Sequence, residues 1–300
     1  MDAHIADYRW PSPHCLALFG RDPDAAAAGV EPAGQRRDNR RMQVQRAGPR
    51  RPPIPGSSAN GLNLPDGGAG APDDAVSRAE RDGMVTRQIG SRGVGDPALL
   101  SVMRQVPRHL FVPPALRASA YADYPLPIGH GQTISQPYIV ALMTELARPV
   151  PTDRALEIGT GSGYQAAVLS RLVSHVFSLE IDDDLGRRAS ERLAGLGYVN
   201  VTVVKADGYD GLESEAPFDI VIVTAAPPRV PQALVDQLAP GGRLVIPVGH
   251  HDAQELSVIE KQADGGTITK TVAPVVFVPM VHSSKIGSRE EESVAGERNR

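Results

Sequence analysis

The sequence predicts an α/β fold: a doubly wound, mostly parallel sheet with helices on both faces, N-terminal helices before it and an antiparallel addition at its C-terminal end. Three observations predict it. From Arg154 onward, short β-rich runs alternate with helical periods, the pattern of a parallel sheet covered on both sides. The first of these runs, "RALEIG", enters a helix through the glycine-rich turn of "GTGSGYQAAVL". The last two, "QELSVIEK" and "TITKTVAPVVFVP", are split only by the turn "ADGG" and read as an antiparallel pair added to the sheet.

In chain order, residues 1–76 read as a disordered leader. They are rich in Pro, Gly, Ala and Arg, as in "RRPPIPGSSANGLNLPDGGAGAPDD", and carry no sustained apolar period, so burial would not offset the entropy of ordering. A helix is expected around Ser77 to Ser91. Another is expected in "DPALLSVMRQVP", where Asp96 caps, Pro97 takes the first position, Pro107 stops, and Leu99, Met103 and Val106 form the buried stripe. "HLFVPPALRASAYADYPLPIG" reads as a Pro-rich extended stretch. It leads to "GQTISQPYIVALM", where Ile139, Val140, Leu142, Met143 and then Leu146 have the spacing of a helix burying one face. Ser135, ahead of Pro137, is a candidate N-cap for that helix.

The alternation then runs through "RALEIG" and "YQAAVLSRL", "HVFSLEI" and "LGRRASERLAGLG", "VTVVKAD", "FDIVIVTAA" and "VPQALVDQL", and "GRLVIPVG". After His282 the segment "SSKIGSREEESVAGERNR" reads as a charged, solvated tail, residues 283–300. The dense region, 77–282, spans about 205 residues, the size of one domain. No internal repeat is visible.

Composition excludes several classes of function. No span reaches the ~18 consecutive apolar residues of a membrane helix, and the N-terminus lacks a signal peptide's basic start and long apolar run. A soluble, cytoplasmic chain without a membrane partner is expected, acting as a monomer. The single cysteine, Cys15, lies in the leader, which leaves no disulfide framework and no thiolate metal cluster; no metal site is expected. The net charge of −4 argues against a chain built to hold nucleic acid. Seven arginines between Arg36 and Arg51 face the single acid Asp38, but they lack the interleaved aromatics of a nucleic-acid-binding segment.

The glycine-rich turn narrows the ligand. Glu157-x-Gly159-x-Gly161-x-Gly163 lets backbone approach a bound molecule at the start of a helix. Tyr164 occupies the position where a dinucleotide fingerprint needs a small residue, which disfavours NAD, and the spacing fails the P-loop pattern because no Lys-Ser or Lys-Thr follows. Glu180 ends the next strand, seventeen residues after Gly163, where its carboxylate can accept from both hydroxyls of a ribose. Asp207-Gly208 follows the third strand, where an acid or a backbone NH can read the amino edge of an adenine. Singly each acid is an ordinary solvated strand end; together they describe a nucleoside site at the carboxyl ends of strands.

These residues resemble the S-adenosylmethionine site of class I methyltransferases, with Glu157, Gly159, Thr160, Gly161, Gly163, Glu180, Asp207 and Gly208 as the cofactor-binding set. "VPRHLFVP", "AYADYPLPIGHGQTISQPYIVALM", "LEIGTGSGYQAAVL", "FDIVIVTAAPPRVPQALVDQLAPGGRLVIPVG" and "FVPM" resemble the protein-L-isoaspartate O-methyltransferase family over about residues 77–282. The resemblance implies methyl transfer from S-adenosylmethionine to the side carboxylate of isoaspartyl residues in damaged peptides and proteins, with repair through a succinimide. It also implies an active-site role for Ser135. Thr133 reads as a loop support on the substrate side, and Thr224, at the end of the fourth strand, faces the same crevice, in reach of substrate or cofactor.

Such a reaction needs no strong base, because a carboxylate with a reference pKa of about 4 is already a nucleophile. This accounts for the lack of a G-x-S-x-G elbow and of a His pair at metal spacing. His130, His109 and His250-His251 read as loop or structural histidines. Two rival functions share the cofactor residues: a small-molecule methyltransferase, and a cofactor-binding protein without catalysis that uses the arginine run as an RNA scaffold. "GQTISQP" ahead of the nucleotide-binding unit stands against the first, and Ser135 beside an intact glycine turn against the second.

Overall fold

The computed structural model describes residues 73–250 and 253–283. The leader up to residue 72, with Cys15 and the arginine run, lies outside the described residues, as do His251 and the tail beyond Ser283. The first helix, α1 (Ala75–Met84), starts two residues earlier than expected because Asp74 caps it, its carboxylate accepting from Ser77 N at 2.7 Å. Asp73 forks onto the buried Arg81 through two bonds of 2.9 Å. The helix loosens into a π turn at Val85–Ile89 and tightens into a 3₁₀ turn at Gly90–Arg92 before α2 (Pro97–Gln105), which has the expected Asp96 cap and Pro97 at its first turn.

The stretch expected to be extended is instead two 3₁₀ turns, Arg108–Phe111 and Pro114–Ser119. Proline's fixed φ suits the first position of such a turn as well as it suits an extended chain, so the sequence alone does not separate the two. A short hairpin follows, β1 (Leu126–Gly129) and β2 (Gln132–Ile134), then α3 (Pro137–Ala147).

The main sheet begins with β3 (Arg154–Ile158), α4 (Tyr164–Ser170), β4 (His175–Glu180), α5 (Asp183–Gly195) and β5 (Val201–Lys205). It continues with β6 (Phe218–Val223), α6 (Gln232–Asp236), β7 (Leu238–His250), β8 (Ala253–Lys261) and β9 (Thr267–Val275). Strand order is β5-β4-β3-β6-β7-β8-β9, parallel from β5 to β7 and antiparallel for the last two pairs. This is the predicted fold class, and it settles the order of the last strands.

Period-two alternation places the core on both faces of the sheet. Along β3, Ala155 joins the cluster with Val140, Ala166 and Val245, while Leu156 and Ile158 join Phe177, Leu179 and Val221 on the other side. The order in which strands are added switches sides between the parallel neighbours β3 and β6, the topological switch point at whose carboxyl ends such sheets form a ligand crevice.

Asp73 and Asp74 therefore belong to the fold. A chain beginning at Ala75 is expected to be less stable than one beginning at Asp73 by at least about 1 kcal/mol, from the lost cap alone. Urea midpoints of the two truncations check this, and equal midpoints would contradict it.

Candidate active site

The crevice is built on the turn after β3. Gly159, Gly161 and Gly163 have φ of 93°, 53° and 86°, left-handed values that side chains rarely adopt. A Cβ on Gly159 would lie 2.5 Å from Thr224 Oγ1. The turn's own NH groups are occupied inside the protein. Gly159 N and Thr160 N donate to Leu179 O at 2.8 and 3.1 Å, Gly161 N to Glu180 Oε2 at 2.8 Å, and Gly163 N to Thr160 O at 2.8 Å. A pyrophosphate needs a cluster of outward NH donors, and this turn directs four of its own inward. A turn with four of its NH donors already used inside the protein fits an uncharged nucleoside better than a phosphate.

Glu157 and Thr160 lie beneath the turn. Thr160 Oγ1 and Ser178 Oγ are 2.6 Å apart, and Ser178 Oγ donates to Glu157 Oε2 at 2.6 Å. Glu157 is 0% exposed. Burial pushes its carboxyl up to about 8, helped by the Glu180 charge and opposed by the Ser178 hydroxyl. Thr224, at the end of β6, donates to Ile158 O at 3.0 Å and Gly159 O at 2.8 Å, so its hydroxyl ties the two strands at the crevice.

Glu180 and Asp207 reach the crevice surface. Glu180 Oε1 accepts from Ile181 N and Asp182 N, while Oε2 has Gly161 N and keeps acceptor capacity. Burial raises its carboxyl above the ordinary range, against these three NH groups. Asp207 Oδ1 accepts from Tyr209 N at 3.0 Å, and Oδ2 takes Ser283 N at 2.9 Å and Ser283 Oγ at 3.2 Å. Burial raises the Asp207 carboxyl, but the Ser283 and Tyr209 donors outweigh it and leave it low. Gly208 is required by packing, since a Cβ there would meet Ile158 Cγ2 at 2.2 Å and Met280 Cε at 2.9 Å.

The hairpin covers the turn from the other side. Ile128 Cδ1 would lie 3.3 Å from a Cβ on Gly161, and at the hairpin tip His130 Nδ1 meets Asp182 Oδ2 at 2.8 Å. Thr133 sits in β2 opposite Pro127, and Ser135 follows the strand's end. Ser135 is not the N-cap. That position is Gln136, which makes no side-chain cap bond because its amide donates to Asp123 O at 2.9 Å. Pro137 at the first helical position has no NH to be capped. The Ser135 hydroxyl makes no hydrogen bond among the described residues, while its carbonyl accepts from the buried Arg108.

The structure thus groups Gly159, Gly161, Gly163, Glu180, Asp207 and Gly208 around the crevice. It places Glu157 and Thr160 below the turn, Thr224 within it, and Thr133 and Ser135 on the covering hairpin and its exit. Sequence reasoning missed the hairpin itself, although Gly129-His130-Gly131 between the β-branched Ile128 and the Thr133-Ile134 pair is a turn signal. It also missed the closing segment. Ala226 N donates to Val278 O and Met280 N to Ala226 O, and this brings His282 into a stack on Tyr209 with ring centroids 3.8 Å apart. A cavity of about 380 Å³ opens there between Tyr209, Arg229, Val230 and Val281.

The state of Glu157 is testable. Its folded pKa lies above its unfolded one, so between about 4.5 and 8 the folded chain holds a proton that the unfolded chain has lost, and stability falls as pH rises through that window. Glu157→Gln should lack this fall. Unfolding midpoints across the window check it, and parallel curves for the two proteins would contradict the neutral carboxyl.

Comparison with known proteins agrees with this geometry. The family described as protein-L-isoaspartate(D-aspartate) O-methyltransferase matches residues 79–285. A protein-L-isoaspartate O-methyltransferase of Synechococcus sp. is 52% identical over 233 residues, covering 75% of this chain and 95% of its own. One of two from Syntrophobacter fumaroxidans is 54% identical over 201 residues, covering 67% and 94%. Among solved structures, a Plasmodium falciparum protein described as the same methyltransferase, in complex with S-adenosyl-L-homocysteine, superposes with a TM-score of 0.59 at 26% identity, over 67% of this chain and 98% of its own. The chain belongs to the protein-L-isoaspartate O-methyltransferase family.

Proposed function

We propose that this chain transfers the methyl group of S-adenosylmethionine to the side carboxylate of L-isoaspartyl residues in damaged peptides and proteins, starting their repair through a succinimide. The observation that carries the reading is the glycine turn with its inward NH groups, flanked by Glu180 and Asp207 and covered by the hairpin that leads to Ser135. The residues fit the cofactor. Gly159, Gly161 and Gly163 let the turn adopt left-handed backbone packed against Thr224, Ile128 and Leu193, Glu180 Oε2 has acceptor capacity for a ribose hydroxyl, and Asp207 Oδ1, with one donor, has capacity for an amino group.

When bound, S-adenosylmethionine supplies a methyl group on a sulfonium. A substrate carboxylate would take that methyl by forming an O–C bond, the C–S electron pair remaining on sulfur. No proton moves, so no general base is needed. Opposite charges cancel along this path, and exclusion of water with alignment of the reacting atoms supplies the acceleration. Ile128 and the hairpin close the turn from solvent, and the Ser135 hydroxyl, uncommitted to other described residues, orients the carboxylate. Thr133 and Thr224 support the substrate side. Thr160 and Glu157 act on the turn from below.

The reading includes action as a monomer in the cytoplasm, with isoaspartyl peptides and proteins as substrates and no nucleic-acid or membrane partner. Supporting this, the net charge is −4, and no helix of the described residues is long and apolar enough to cross a membrane.

Gly161→Val puts a branched side chain at a left-handed φ against Ile128, and calorimetry should find S-adenosylhomocysteine binding abolished. Glu180→Ala should weaken it by about tenfold through lost hydrogen bonds. Unchanged affinity in both would refute the nucleoside placement.

Ser135→Ala, which removes no cap, should change stability by under about 0.5 kcal/mol. It should lower turnover on an isoaspartyl peptide by about tenfold or more, through lost alignment. Full turnover in that variant would remove Ser135 from the chemistry.

A further inference from the structure

Among the described residues Arg108 is the largest side chain fully sealed from solvent, at 0% exposure. Among the described residues no carboxylate pairs with it. Its Nε donates to Ala120 O at 2.8 Å and its Nη2 to Ser135 O at 2.8 Å, while Nη1 has no partner. The guanidinium lies over the Tyr164 ring, 4.8 Å from its centroid. Burial lowers its pKa to about 10, offset in part by Tyr164 and Tyr121, so it stays charged at neutral pH.

Asp123 attracts the guanidinium only at a distance, and burying a cation with no carboxylate in contact costs several kcal/mol, so a neutral side chain would pack there more cheaply. What the guanidinium adds is a rigid planar fork that bonds two separate carbonyls in one geometry, which a lysine cannot reproduce. One of those carbonyls belongs to Ser135. The next residue is tied by a second bond, from the Gln136 amide to Asp123 O, so the exit of the hairpin is held from both sides.

We propose that Arg108 is a positioning residue for methyl transfer, fixing the backbone of Ser135 so that its hydroxyl meets the isoaspartyl carboxylate in the reactive alignment. The inference rests on the role given to Ser135 above. Arg108 acts through that residue and touches neither substrate nor cofactor.

A double-mutant cycle tests it. Arg108→Lys, Ser135→Ala and the double variant are assayed on an isoaspartyl peptide, with rates normalised to sites that bind S-adenosylhomocysteine. Arg108→Lys should lower kcat by about tenfold, with cofactor affinity within about twofold of wild type, because the defect is one of alignment. In the Ser135→Ala background the same substitution should change kcat by less than about twofold, since the hydroxyl it positions is gone. Arg108→Gln, neutral and easier to bury, gives the same cycle if the lysine variant fails to fold. Equal losses in both backgrounds, or cofactor affinity falling with turnover, would overturn the proposal in favour of a purely structural arginine. A fully active Ser135→Ala single variant would overturn both the role of Ser135 and this inference, whereas an impaired Ser135→Ala beside a fully active Arg108→Lys would overturn the inference alone.

Discussion

The turn from Gly159 to Gly163 is the constraint on which the rest of the site depends. It stands where the strand order switches sides, between the parallel β3 and β6, and three of its residues have left-handed φ. Every neighbour restrains it. Leu179 O takes two of its NH groups, Glu180 takes a third, and the Thr224 hydroxyl crosses from β6 to bond Gly159 O. A side chain at Gly159 would displace Thr224, and one at Gly163 would press on Leu193, 3.1 Å away. The turn is therefore held in one shape by its neighbours, as a preorganised ligand surface must be.

Buried charges near this turn are treated in three ways. Glu157, sealed below it, is pushed toward its neutral form. Glu180 accepts from three backbone NH groups at the edge of the crevice. Arg108, on the hairpin side, is held by two carbonyls and an aromatic face. A reaction in which a carboxylate and a sulfonium cancel gains from a water-poor site, and a water-poor site makes each charge in it costly. The structure meets that cost with backbone dipoles more than with ion pairs.

Much of this was legible in the residues. Alternation of β-rich and helical runs identified the parallel sheet, and the glycine spacing with Glu180 and Asp207 identified the crevice, because period and backbone freedom are local properties. What escaped was set by tertiary contact. Ser135 looks like an N-cap from its position before Pro137, yet Gln136 takes that place and turns its amide to Asp123. The Pro113-Pro114 stretch fits either an extended or a 3₁₀ backbone, and packing chose the latter. Glu157 and Thr160 sit in the motif of a ligand site, but alternation along β3 turns the acid into the core, and Thr160 meets Ser178 there. Arg108 is a surface residue by composition and a buried one by contact, which no pattern in "VPRHLFVP" distinguishes.

The central claim is that this crevice places an isoaspartyl carboxylate against the methyl group of S-adenosylmethionine. The most direct measurement is transfer of labelled methyl to a matched pair of peptides that differ only in an isoaspartyl or an aspartyl linkage. The account predicts stable incorporation into the isoaspartyl peptide and little into its isomer, whose carboxylate hangs from a different backbone geometry. Comparable incorporation into both, or none into either by a protein that binds S-adenosylhomocysteine, would contradict it.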